Sequence, residues 1–275
     1  MRCLILLFII IITADCSAQR KSLPAIDTLL NKADYQQVLN KLDSLQKTNK
    51  APNGAVNYYR LLCYYDMKEY NEGTRLSTKY ISEYTNLDSV LINLYDMQVN
   101  LLMDNQNYEA AIKTVYKVLK LDPKNADHYV NLSVLYGFNK QISMSLKALR
   151  DGLKVDNKNV FIYNNLAYYN GHYKHYLQAI KYANIGIKLK QDSFSTGYFY
   201  NNRGYAEMKL HRLKKANRDI DLAMIWNSTN CYAYYYKALA ILDTKNYFEV
   251  CKYVKLSETY GGQKLVEGLK YKYCH

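Results

Sequence analysis

Proline and glycine are scarce in this sequence: three and 11 in 275 residues. That excludes collagen-like chains, Pro/Gly-rich linkers and β-rich folds, whose many tight turns draw on both residues. No apolar–polar alternation of any length marks a strand. No low-complexity linker divides the chain, and with 49% hydrophobic residues it can bury a large core. Catalytic signatures are missing too. There is no GxxxxGK[ST], HExxH, GxSxG or dinucleotide fingerprint. Histidine is limited to His128, His172, His175, His211 and His275. His172 and His175 stand three apart, but they straddle the end of an apolar-periodic stretch, so a solvated turn is expected and not a metal pair. No carboxylate pair stands out from ordinary helix faces. The expectation is a non-enzyme without metal or cofactor.

Acidic residues are also in deficit, 24 Asp+Glu against 37 Lys+Arg, for a net charge of +13. The lysines are scattered, not clustered, and they read as a solvated face or as a surface for an acidic protein, envelope polysaccharide or anionic lipid.

What the chain does contain is a period. In the stretch LKLDPKNADHYVNLSVLYG, Leu119 to Gly137, one helix-like run stops at Asp122-Pro123 and another starts at once, with Tyr129, Leu132 and Tyr136 on one face. Leu119-Lys-Leu-Asp-Pro123 recurs 34 residues on as Leu153-Lys-Val-Asp-Asn157, and 34 further as Ile187-Lys-Leu-Lys-Gln191. Tyr129 maps onto Tyr163, Leu132 onto Leu166, and Leu146 onto Ile180. Each unit holds two amphipathic stretches, which makes a helical hairpin that must stack on its neighbours to bury its apolar faces.

The pattern resembles the tetratricopeptide repeat (TPR) family. Residues 92–125 carry Tyr95, Tyr108, Ala111, Val115 and Pro123; residues 126–159 carry Tyr129, Leu132, Ser133, Tyr136, Leu149 and Gly152. Residues 160–193 carry Tyr163, Leu166, Ala167 and Ala179; after a slip of register at 194–196, residues 197–230 carry Tyr200, Gly204, Ala216 and Ala223. Residues 231–262 follow with Tyr234, Ala238 and Tyr247. Asp34-Tyr35 and Glu69-Tyr70 mark second-helix starts of two weaker units, about 19–53 and 54–91. The stretch Asn202-Arg203-Gly204-Tyr205-Ala206 is similar to exported bacterial members. The resemblance implies an all-α, right-handed solenoid of about seven hairpins over 19–262, closed by a capping helix at 263–275. With so little proline, helix starts must rest on Asp, Asn and Ser caps.

Residues 1–18 read as an export signal: Met1-Arg2, the apolar run CLILLFIIII from Cys3 to Ile12, then TADCSAQ. The run is too short to span a bilayer, which needs about 20 apolar residues. Cleavage after Ala18 predicts a periplasmic or secreted chain; lipid attachment at Cys16 is the alternative, with Asp15 an unfavourable neighbour. Export removes most of the case for a nucleic-acid partner. It also permits disulfides. Cys251 lies ten residues before Gly261 and Cys274 twelve after Gly262, so two antiparallel helices rising about 1.5 Å per residue bring them to the same height. A Cys251–Cys274 disulfide is therefore expected, with Cys63 and Cys231 reduced and buried.

The resemblance also implies a concave groove lined by the first helix of each hairpin. Carried over, its inward positions are Asp96, Asn100 and Met103; Val130, Val134 and Phe138; Phe161, Asn164, Tyr168 and His172; Tyr198, Asn201, Tyr205 and Met208; Tyr232, Tyr235, Leu239 and Leu242. Tyrosine and asparagine gather in the last three units and suit a polypeptide, with Phe161, Asn164, Tyr168, His172, Tyr198, Asn201, Tyr205, Tyr232 and Tyr235 as the candidate contacts. The family's carboxylate clamp is excluded: Asp96 stands where Lys is required, and Phe161 and Asn165 replace its basic pair. The expected function is a non-enzymatic scaffold for a protein or peptide partner, possibly acidic; the alternative is a periplasmic immunity protein that neutralises a cognate toxin.

Overall fold

The computed structural model describes residues 23–84, 87–189 and 193–274. The expected signal peptide and the lipidation site at Cys16 lie outside them. Among the described residues there are fifteen α-helices and no strand. They are α1 Pro24–Asn31, α2 Tyr35–Lys47, α3 Asn53–Asp66, α4 Tyr70–Glu83, α5 Asp88–Asp104, α6 Tyr108–Leu121, α7 Ala126–Phe138, α8 Ile142–Val155, α9 Val160–His172, α10 Tyr176–Leu189, α11 Ser193–Lys209, α12 Leu213–Trp226, α13 Cys231–Ala240, α14 Tyr247–Thr259 and α15 Gln263–Tyr273. Tyr35, Tyr70 and Tyr247 begin second helices, as the repeat pattern predicts. The register slip at 194–196 has a simple form: those residues fall in the first turn of α11, which is longer than α9.

Helices α2, α6, α7, α9, α13 and α14 start on an asparagine or aspartate cap, whereas α1, α3, α4, α5, α12 and α15 start without a side-chain cap. The amides of Gln37, Ala110, Ile162 and Glu249 donate to the side chains of Asp34, Asn107, Asn159 and Asn246, at 3.1–3.3 Å. Each bond satisfies one of the amides that a helix N-terminus leaves unpaired. The turns inside the hairpins reverse on a left-handed residue that is not glycine: Ala33, Lys68, Gln106, Lys140, Lys174, His211 and Lys245, with φ between 55° and 66°. At Lys174 the amide of His175 reaches back to the Asn170 carbonyl at 2.8 Å, and that of Lys174 to Gly171 at 3.2 Å. These backward bonds hold the chain in the αL conformation without glycine and account for glycine's scarcity.

The chain packs as two compact units, one ending at Ser145 and the other running from Leu146. In the first, α1 to α3 close over Ile26, Val38, Leu42, Val56, Tyr59 and Cys63, and α3 to α5 over Leu61, Tyr80, Leu94, Met97 and Leu101. Cys63 is buried and free, as expected, and burial pushes its thiol up to about 12. In the second unit each helix packs on the next from α9 to α15, and α9 also packs on α11 and α11 on α13. One core joins Val160, Ala167 and Ala183 to Phe199; another joins Ala238, Val250 and Val254 to Val266 of α15. Arg203 of α11 clamps this stack. Its guanidinium donates twice to Asp219 of α12 at 2.7 Å and once to Asn184 of α10 at 2.6 Å.

The α14–α15 hairpin carries the expected Cys251–Cys274 disulfide, with Cα atoms 5.5 Å apart. Cys231 corrects the sequence expectation. It is disulfide-bonded. Spacing along helices compares cysteines only within one hairpin and leaves any other bond of Cys231 unread.

Candidate partner-binding groove

The candidate contacts all belong to the second unit, on α9, α11 and α13. Helical spacing puts Phe161, Asn164, Tyr168 and His172 on one face of α9, and Tyr198, Asn201 and Tyr205 on one face of α11. A continuous row of rings crosses the three helices. Tyr168 meets His172 with ring centroids 4.1 Å apart, His172 meets Tyr205 at 5.1 Å, and Tyr205 stacks on Tyr236 at 4.9 Å. Tyr232 and Tyr235 flank Tyr236 at 6.0 and 5.4 Å. Offset and tilted ring pairs of this kind add about 0.5–1.5 kcal/mol each beyond their burial.

The predicted residues divide in two. Tyr168, Tyr205 and Tyr235 are half-buried and His172 is exposed, so they offer surface to a partner. Tyr198 and Tyr232 are buried and hold the floor, with Tyr232 only 4% exposed. Phe161 packs partly into the core of Val160, Ala183 and Phe199. Asn164 accepts a bond from Asn202 Nδ2 at 2.9 Å and is thereby fixed. Asn201 is 3% exposed, and its Oδ1 has no hydrogen-bond partner. A buried amide oxygen left this way costs about 1–3 kcal/mol.

The phenols of the floor remain protonated donors at neutral pH. Burial pushes the Tyr168 and Tyr198 hydroxyls up to about 12. Burial raises Tyr232 and Tyr236 as well, with further upward contributions from neighbouring phenols, Tyr168 among them in both cases. Burial of the His172 ring against its neighbours, helped by the charge of Lys209, pulls its pKa down and favours the neutral ring, while a bond with the Tyr168 backbone works the other way. Carboxylate is nearly absent: α9 and α13 have none, and the Glu207 of α11 is buried and paired with Arg212 at 3.3 Å.

Sequence reasoning missed Tyr236, which joins the rings of α11 and α13, and Lys209, whose ammonium sits 5.6 Å from the Tyr205 centroid. The run Tyr234-Tyr235-Tyr236 was the available signal, but the carried-over pattern selects only Tyr235 from it. In the first unit Met103, Val130 and Val134, which the pattern puts on the groove face, are buried in the core.

By sequence, no protein-family model and no curated protein matches the chain. By structure it matches TPR proteins. A TPR protein from Parabacteroides merdae superposes with a TM-score of 0.68 at 16% identity, covering 89% of this chain and 94% of that one. The C-terminal part of a TPR-repeat protein from Cytophaga hutchinsonii gives 0.58 at 14% identity, covering 90% and 98%. PilF of Pseudomonas aeruginosa gives 0.54 at 18% identity, over 65% of this chain and 84% of its own. The helices pack pairwise as TPR hairpins, and the chain has the TPR fold. Among the described residues no helix is long and apolar enough to cross a membrane, and no group of three His, Cys, Asp or Glu could hold a metal.

Proposed function

We propose that this chain is a non-enzymatic scaffold of the cell envelope, exported by its first 18 residues, that binds a polypeptide partner in the groove of α9, α11 and α13. The observation that carries the reading is the row of rings across α9, α11 and α13, in which Tyr168, Tyr205 and Tyr235 stay half-open to a partner. A polypeptide supplies carbonyls for the phenolic donors and apolar surface for the rings. Tyrosine gives contact area with little entropy to lose, the usual character of a binding surface. The near-absence of carboxylate on the three helices favours a neutral or acidic segment over a basic one.

The test is the triple variant Tyr168→Ala, Tyr205→Ala and Tyr235→Ala. Partners captured from envelope extract by the wild-type chain should be lost or weakened at least about tenfold. The helical circular dichroism signal should change little, because none of the three is fully buried. Full retention of the captured partner by this variant would move the binding surface elsewhere.

A further inference from the structure

One edge of the second unit has a composition unlike the groove. Helices α9, α11 and α13 run side by side in the same sense, because His172 at the end of α9 meets Tyr205, and Tyr205 meets Tyr236. The turns that follow them, around Lys174, His211 and Lys245, therefore open on a common edge. α14 starts at this edge and α15 ends there: the Tyr247 and Tyr273 rings stack at 5.0 Å, and the disulfide closes one turn further on.

Apolar side chains stand in water along this edge. Phe248 is 87% exposed, Tyr271 82% and Leu177 61%. Between them lie the exposed amines of Lys174, Lys214, Lys215, Lys245, Lys252 and Lys272. Opposing charge is sparse, chiefly Asp243 and Glu249, since Glu207 is already engaged by Arg212. On the opposite edge, where α8, α12 and α14 end, lysines alternate with Asp156, Glu258 and Glu267.

We propose that the edge of Lys174, Lys245 and Phe248 docks on an anionic lipid surface, independently of what the groove binds. Two features favour a lipid over an acidic protein. The apolar side chains stand on separate helices, Leu177 on α10, Phe248 on α14 and Tyr271 on α15, and do not form one anchor cluster of the kind a protein partner uses. Each stands beside lysine, the arrangement that lets rings enter the headgroup layer while ammonium groups meet phosphates. Each lysine held near such a surface contributes modestly, so several must act together, and their effect fades with salt.

The test is vesicle partitioning of the full chain, on phosphatidylcholine alone and with about one-third phosphatidylglycerol. All variants keep residues 3–12, so any binding through that apolar run is common to them and cancels in the ratio. The wild type should prefer the anionic vesicles, and the preference should weaken with added salt. Lys174→Glu, Lys214→Glu, Lys215→Glu and Lys245→Glu together should remove at least about tenfold of it. The same charge change on the opposite edge, with Lys158→Glu, Lys188→Glu, Lys255→Glu and Lys264→Glu, should leave the preference within about threefold of wild type. Leu177→Ser with Phe248→Ser should lower partitioning at unchanged charge. The proposal is overturned if the wild type shows no anionic preference, if both lysine sets lose it equally, or if the apolar pair changes nothing. Tight binding to an acidic protein without lipid preference also overturns it.

Discussion

Gly186 is the sharpest test of how α10 and α11 fit together. It is buried on α10, and an ideal methyl group built there would lie 2.5 Å from Phe199 Cδ1 and nearer still to Cε1 and Cζ. Ordinary contacts need at least about 3.4 Å, so the ring would have to retreat by roughly 1 Å. It has little room to retreat: Phe199 is 1% exposed and packed among Val160, Ala167 and Ala183. Overpacking of this kind costs about 1–3 kcal/mol. Against it stands alanine's helix propensity, worth about 1 kcal/mol over glycine. A contact this short puts the cost at the upper end, about 2–3 kcal/mol, so we expect Gly186→Ala to destabilise the second unit by about 1–2 kcal/mol net. Gly268 on α15 is the control: it is exposed, with nothing within 4 Å of a built methyl, so the same substitution should stabilise its helix by up to about 1 kcal/mol. Amide hydrogen exchange in α10, α11 and α15 reads each effect where it arises, which matters in a repeat array that need not unfold as one. A Gly186→Ala chain as stable as wild type would refute the close packing of Phe199 on α10.

Removing Asp219 with Asn should cost about 2–3 kcal/mol, because Arg203 would be left half-buried without its anion; Arg203→Met added to it should recover part of the loss, measured by urea unfolding. Asp96 predicts a pH dependence in the first unit: burial, helped by the charge of Asp122, raises its carboxyl to about 7. A raised acid pKa means the folded state holds the proton longer, so this contribution is intact near pH 4, declines as pH rises to about 7, and is flat beyond. Asp96→Asn should therefore match wild type near pH 4 and exceed it at pH 8, on the order of 1 kcal/mol; equal urea midpoints at both pH values would contradict the buried carboxyl.

The 34-residue period and the Asn and Asp caps suffice to place most helices, because both are local properties of the chain. Gln263–Tyr273 was legible as a capping helix for the same reason: Gly261-Gly262 stops one helix and an apolar stripe starts the next. Depth of burial was not legible. Tyr168 and Tyr232 both occupy inward groove positions, yet one is half-open and the other closed, which depends on packing between helices and not on spacing along them. Nor could spacing reveal that Asn164 would spend its oxygen on Asn202 while Asn201 would keep one free. Both are asparagines on inner helix faces, and only packing separates them.

The disulfide is where local sequence and long-range function meet. The core that α15 closes contains Ala238, Val250, Val254 and Val266, and Tyr235 of the groove packs against it from the other side. An eleven-residue helix is marginal when held by propensity alone, and Val266 is its only fully buried residue. The link spans 23 residues in sequence, for which chain entropy gives about 3 kcal/mol. Cys274→Ser should therefore fray α15 without unfolding α9 to α12, because repeat stabilities are nearly local. Amides of α15 should lose exchange protection by up to about a hundredfold, as 3 kcal/mol allows. Tyr235 should loosen with them, and groove binding should weaken although no groove residue has changed. Unaltered protection in α15 would mean that Leu265, Val266 and Leu269 hold the cap without the covalent tie. Frayed α15 with full groove binding would uncouple Tyr235 from the cap.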